Sequence, residues 1–298
     1  MTTRYAKSIT FAVVLPAAIA AVVVYRPAMN EPPPQAVYPI ERTVKYSLTV
    51  KNPSNKPVPQ AAIWLYAPLS QGVYQRADEI ASSHPYRREM DEFGNQRLHF
   101  EVENLPPYGR KIYTVTARIK LSRSPNEMPA IDDKAFLGEE RLMEISATGI
   151  KQLARRLAAD SEGETVRNIY RWVTANIAKP GYVERDRGAL QTLVTRSGDC
   201  TGAMYLFSAL SRANGIPTRN MAGFTAKENV VLKPRDYHNW LEVFVDGRWR
   251  LVDPDRRIFM DQASDYIAMT LLSDAPTLES QASQRLFGGP ENIEITMN

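Results

Sequence analysis

Cysteine is almost absent from this chain, with Cys200 alone among 298 residues. One cysteine excludes an internal disulfide, and no CxxC pair or Cys/His cluster offers a zinc site. No metal and no cofactor is therefore expected. Histidine is nearly as scarce, with three: His84, His99 and His238. Glycine (15) is outnumbered by proline (21), which favours loops and strand edges over a helical bundle. The net charge of +4 is not gathered into a Lys/Arg run with interleaved aromatics, which argues against nucleic-acid binding. A composition of 44% hydrophobic and 23% charged residues is that of an ordinary globular chain. Disorder over most of the length and a multi-span membrane protein are both excluded.

A strongly apolar, uncharged run occupies residues 8–25, after Arg4 and Lys7. As a helix it would span about 27 Å, just short of a hydrocarbon core about 30 Å thick. We expect residues 1–30 to form a signal anchor that crosses the inner membrane once through residues 8–25. The positive charge before it would keep the N-terminus inside and leave the bulk of the chain periplasmic. The alternative is secretion after cleavage, for which Ala18-Ile19-Ala20 fits the small-x-small pattern. Residues 31–40, with Pro32-Pro33-Pro34, read as a stiff extended spacer.

Residues 41–122 have period two. Val44, Tyr46, Leu48 and Val50 share one face, and runs at 61–67, 97–103 and 111–121 repeat the alternation. Polar turns such as Asn52-Pro53-Ser54-Asn55 and Gly94-Asn95 separate them. The expectation is a small antiparallel β-sandwich of the Ig-like kind, with His99 on its solvated face. A linker at 123–139 follows, and then the period turns helical. Ile150, Leu153, Ala154 and Leu157 make one stripe; Val166, Ile169, Tyr170, Val173 and Ile177 make a second. Residues 140–298 are thus read as a separate α+β domain.

The chemistry concentrates in that second region. Asp199 or Ser197 can cap a helix that starts at Cys200 and stops at Asn214-Gly215-Ile216-Pro217. Free N–H groups and the helix dipole at a first turn stabilise a thiolate. Further on, Asp246-Gly247 between two alternating runs signals a two-residue hairpin. Its register sets Val245 opposite Arg248, hence Trp240 opposite Asp253, with His238 one diagonal step from Asp253. Diagonal side chains are about 7–8 Å apart at the backbone, within reach of an imidazole and a carboxylate. A nucleophile (Cys200), a base (His238) and an orienting acid (Asp253) are therefore all available. The competing reading is a capped structural cysteine, an edge-strand histidine and a turn aspartate.

Gly198-Asp199-Cys200, the stretch 206–219 (LFSALSRANGIPTR), His238-Asn239-Trp240-Leu241-Glu242-Val243 and the closing Asp-Gly-Arg-Trp…Val-Asp-Pro together resemble the transglutaminase-like superfamily, a branch of the papain-like thiol enzymes. The resemblance covers about residues 140–265 and extends to bacterial exported proteins with an N-terminal sandwich. It implies a papain-like α+β catalytic domain with a Cys200–His238–Asp253 triad. Relatives usually carry alanine after the histidine. Asn239 replaces it here, on the strand face opposite His238. In relatives a Trp or Gln side chain upstream often supplies a second oxyanion donor. Trp172 and Gln191 are the candidates, although Trp172 also suits core packing. The implied function is an exported amide hydrolase or acyltransferase that works through a thioester on peptide or glutamine amides. Its expected partner is a peptide or protein substrate at the cell envelope. The alternative is a non-catalytic envelope scaffold that keeps the fold.

Overall fold

In the computed structural model, residues 36–127, 133–181, 187–273 and 286–298 are described. The expected anchor at 8–25, and the spacer up to residue 35, lie outside them. Among the described residues no helix is long and apolar enough to cross a membrane.

The alternating runs form the sandwich strands β1 (Ile40–Lys51), β2 (Val58–Ala67), β5 (Gln96–Leu105) and β6 (Arg110–Leu121). Two shorter strands, β3 (Gln75–Ser82) and β4 (Arg87–Met90), carry mostly polar residues and so gave no apolar alternation to read. Val44, Tyr46, Leu48 and Val50 are buried against Ile63, Leu65, Leu98 and Phe100 of the second sheet, as period-two alternation requires. His99 is not freely solvated, because its Nε2 lies 2.8 Å from Glu89 Oε2.

Among the described residues four α-helices follow: α1 (Thr148–Leu157), α2 (Glu162–Asn176), α3 (Ala189–Thr195) and α4 (Cys200–Arg212). The stripes read from the sequence (Ile150, Leu153, Ala154 and Val166, Ile169, Val173) are the buried faces of α1 and α2. The almost wholly buried α4 packs on one face of an antiparallel sheet. Its strands are β7 (Thr218–Thr225), β9 (Tyr237–Val245), β10 (Arg248–Asp253), β11 (Ile258–Phe259) and β12 (Tyr266–Leu272), in the order β11-β10-β9-β7-β12. Gly223 of β7 is required where β12 bulges, since a Cβ there would meet Ile267 O at 2.0 Å.

Residues 36–298 form one compact unit, and the tail reveals why a sequential division into 41–122 and 140–298 does not describe it. The sequence reading assigned the tail to the catalytic region. Instead β13 (Phe287–Gly288) pairs with β2, and β14 (Glu294–Met297) pairs with β1, completing the two sandwich sheets. β8 (Val230–Val231) also joins β1. Such pairings lie far apart in sequence and leave no local signature. The linker is likewise partly structural: Phe136 is buried edge-on against Trp249. Gln75 of the sandwich brackets Ala268 of β12, donating to its carbonyl and accepting from its N–H, both at 2.8 Å. Asn95 does the same at Leu271.

Candidate active site

Cys200 is the first residue of α4. Asp199 caps the helix, its carboxylate accepting from Gly202 N–H at 3.1 Å, a contact that contributes about 1 kcal/mol. The first turn of α4 packs tightly on α3, because a Cβ on Gly202 would come within 2.8 Å of Thr192 Oγ1. The thiol therefore sits in the first turn of a capped helix.

The β9–β10 hairpin follows the register read from the sequence, with Val245 opposite Arg248 and Leu241 opposite Val252. His238 Nε2 donates to Asp253 Oδ2 at 2.6 Å. Asp253 has no exposed surface and His238 only 4%. The carboxylate is held from three directions: Arg256 N–H reaches Oδ1 at 2.9 Å, and the Tyr266 hydroxyl reaches Oδ2 at 2.7 Å. Burial opposes ionisation of Asp253, but the His238 hydrogen bond and charge, aided by Arg256 and Tyr266, bring its pKa below the ordinary value. Burial likewise opposes a charged His238. The bonds to Asp253 and Cys200 outweigh it and raise the imidazole to about 9. Because Asp253 takes Nε2, Nδ1 is the ring nitrogen left for the thiol.

The structure thus brings Cys200, His238 and Asp253 together. Gln191 and Trp172 are placed elsewhere. Gln191 is exposed on α3, and Trp172 packs at the helical core beneath Arg196, whose guanidinium lies 4.4 Å from the indole centroid. Neither lines the cleft that contains Cys200. Asn239 also departs from expectation. It lies on the face opposite His238, yet its Oδ1 is 3.9 Å from Cys200 Sγ and accepts from Thr201 Oγ1 at 3.2 Å. Continued to its end, the hairpin register sets the last residue of β10, Asp253, opposite Trp240. Cys200, at the head of α4, thus contacts β9 side chains of both parities, His238 and Asn239. Tyr266 and Asn239 were not legible as site residues, since one needs the β7–β12 pairing and the other the docking of α4 on the sheet.

The cleft has a volume of about 770 Å³. Lys179, Asp199, Cys200, Arg235, Tyr237 and Asp255 line it from the helix-and-sheet side; Leu286, Phe287, Ile295, Thr296 and Met297 line it from the sandwich tail. Among the described residues no group of three or more His, Cys, Asp or Glu side chains could hold a metal ion.

Fold and site together define a class: an antiparallel sheet backed by a helix, with a cysteine at the helix start facing a His–Asp pair on the strands. Residues 151–254 match the sequence model of the transglutaminase-like superfamily. A search of curated proteins finds no match. Among solved structures, the fold is similar to that of a candidate cysteine protease from Cytophaga hutchinsonii, with a TM-score of 0.56 and 18% identity over 87% of this chain and 91% of that one. The periplasmic domain of TgpA from Pseudomonas aeruginosa is a weaker match, with a TM-score of 0.40 and 16% identity over 72% of this chain and 90% of that one.

Proposed function

We propose that the protein is a cysteine-dependent amide hydrolase or acyltransferase in which Cys200 is the nucleophile. The observation that carries this reading is the chain of contacts from Cys200 to His238 to Asp253, closed by the 2.6 Å bond between the last two. In this scheme Cys200 Sγ attacks an amide carbonyl and a tetrahedral oxyanion forms. The Cys200 backbone N–H at the head of α4 is one donor to it. His238, protonated up to about pH 9, gives its proton to the departing amine or ammonia as the C–N bond breaks, which leaves a thioester on Cys200. His238, now neutral, takes a proton from water or from an amine as that acceptor attacks the thioester. Water yields an acid; an amine yields a new amide. Asp253 keeps the ring orientation throughout and stabilises the imidazolium.

The same proposal sets the protein at the cell envelope, tethered through the uncharged run 8–25 and facing outward. Membrane fractionation of the full chain and of a chain lacking residues 1–30 tests the tether; a shortened chain that still pellets with membranes contradicts it. For the chemistry, the test is mass spectrometry of the protein quenched in acid after incubation with peptide amides, glutamine peptides included. An acyl adduct on Cys200, released as a hydroxamate by hydroxylamine and absent in Cys200→Ala, is expected. An adduct that also forms in Cys200→Ala would overturn the assignment of the nucleophile.

A further inference from the structure

Ile295, Thr296 and Met297 line the Cys200 cleft as three residues in a row. Successive strand residues point to opposite faces, so a strand seen face-on offers only every second one. Consecutive lining residues mean that the cleft meets β14 from its edge. β14 is the end strand of its sheet, which runs β14-β1-β6-β3. Asn298 N–H donates to Ser47 O at 3.0 Å, continuing the register that pairs Met297 with Leu48. By antiparallel alternation the main-chain groups of Glu294 and Thr296 then face β1, and those of Ile295 and Met297 face away from it. The strand is fixed in this pose, since the Asn298 side chain accepts from Thr49 Oγ1 and donates to Ser47 Oγ. Another end strand of this molecule, β12, has its outer edge covered by Leu69, Gln75 and Asn95. Among the described residues nothing covers β14 in that way.

We propose that the free edge of β14 is the substrate-docking strand, and that its occupant is an extended peptide segment pairing with Ile295 and Met297 while it presents an amide to Cys200. The inference rests on the thiol-amidase reading for the identity of the occupant. Main-chain pairing supplies affinity with little demand on sequence, and the flanking side chains supply the preference. Leu286, Phe287, Tyr237 and Met297 make that preference apolar. Charge adds a second element. In the lining, Lys179 is paired with Asp255 at 3.2 Å, whereas the Arg235 side chain is 86% exposed, with Asp236 no nearer than 4.0 Å. A peptide carrying a carboxylate complements it.

Peptide binding to full-length Cys200→Ala tests docking without any turnover. The probe is a fluorescein-labelled octapeptide of alternating valine and threonine with one glutamate, followed by anisotropy. Two further versions carry N-methyl groups on either the odd or the even amides. In an extended peptide these remove donors from one edge at a time. One series should bind at least tenfold more weakly than the other. Ile295→Pro, which deletes an outward N–H that β1 does not use, should weaken the parent peptide similarly. Arg235→Gln should weaken the glutamate peptide and leave its glutamine version unchanged. Equal binding by both N-methyl series, or no binding at all, would overturn the proposal even if Ile295→Pro failed to fold. A concentration-dependent dimer that excludes the peptide would overturn it too, by giving the edge to a second copy. Because Cys200→Ala cannot form a thioester, this result is independent of whether the amidase chemistry stands.

Discussion

Tyr266 donates its hydroxyl to Asp253 Oδ2, the same oxygen that receives His238 Nε2–H, at 2.7 Å and 2.6 Å. Trp240, stacked edge-on against Tyr266 at 5.0 Å between ring centroids, fixes the phenol from the side. Two donors on one buried oxygen make the carboxylate the hub of the site, and the position of His238 depends on it.

Removing the hub's charge should cost far more activity than stability. Asp253→Asn keeps the volume but cannot hold His238 in the same tautomer, and amide turnover should fall by about 10⁴ with the fold retained. Kinetics on any substrate that acylates Cys200, with circular dichroism as the check on folding, decide it. Turnover within a few-fold of wild type would remove Asp253 from the mechanism.

Tyr266→Phe removes one of the two donors and leaves the other. A hydrogen bond to a charged group contributes about 1.5–3 kcal/mol, so a loss of that size is expected in chemical denaturation. Turnover should fall less than in Asp253→Asn, because His238 keeps its partner.

His238 should titrate near pH 9 in a nuclear magnetic resonance experiment on its ring protons. Burial pulls the pKa down while Asp253 and Cys200 push it up, so Cys200→Ala should lower the midpoint and Asp253→Asn should lower it too. The sign for stability follows. A histidine whose folded pKa lies above its free value of about 6.5 contributes fully below that pH. The contribution disappears as pH rises through about 9, so the thermal midpoint should decline over that interval more in wild type than in Cys200→Ala.

Beneath the site, Arg219 and Glu242 form a buried ion pair, with Arg219 Nη2 2.6 Å and Nε 2.7 Å from Glu242 Oε2 and the guanidinium 4.3 Å from the Trp249 ring centroid. Arg219→Ala leaves a buried carboxylate alone and should cost about 3–5 kcal/mol. The double replacement Arg219→Met/Glu242→Leu should recover most of that loss. Thermal melts of the three proteins compare them directly.

The parts of this molecule legible in the sequence are those set by neighbours in the chain. Alternation gave β1, β2, β5 and β6, helical stripes gave α1 and α2, and the Asp246-Gly247 turn fixed the register that brings His238 to Asp253. The Asp199 cap gave the start of α4. What stayed hidden depends on long-range pairing. Tyr266 reaches Asp253 through the β7–β12 ladder, and Asn239 meets Cys200 through the seating of α4 on the sheet. The tail strands join β1 and β2 across more than two hundred residues of sequence, and four-residue or shorter strands carry too little pattern to reveal their partners.

The account turns on the coupling of Cys200 to His238, and alkylation of Cys200 by iodoacetamide at pH 6 measures it without a substrate. Only about 0.3% of an ordinary thiol is ionised at that pH, so unassisted reaction is slow. Wild type should react on the order of a hundredfold faster than His238→Ala, with Asp253→Asn between them. Equal rates in wild type and His238→Ala would contradict the account and leave Cys200 a structural cysteine at the head of a helix.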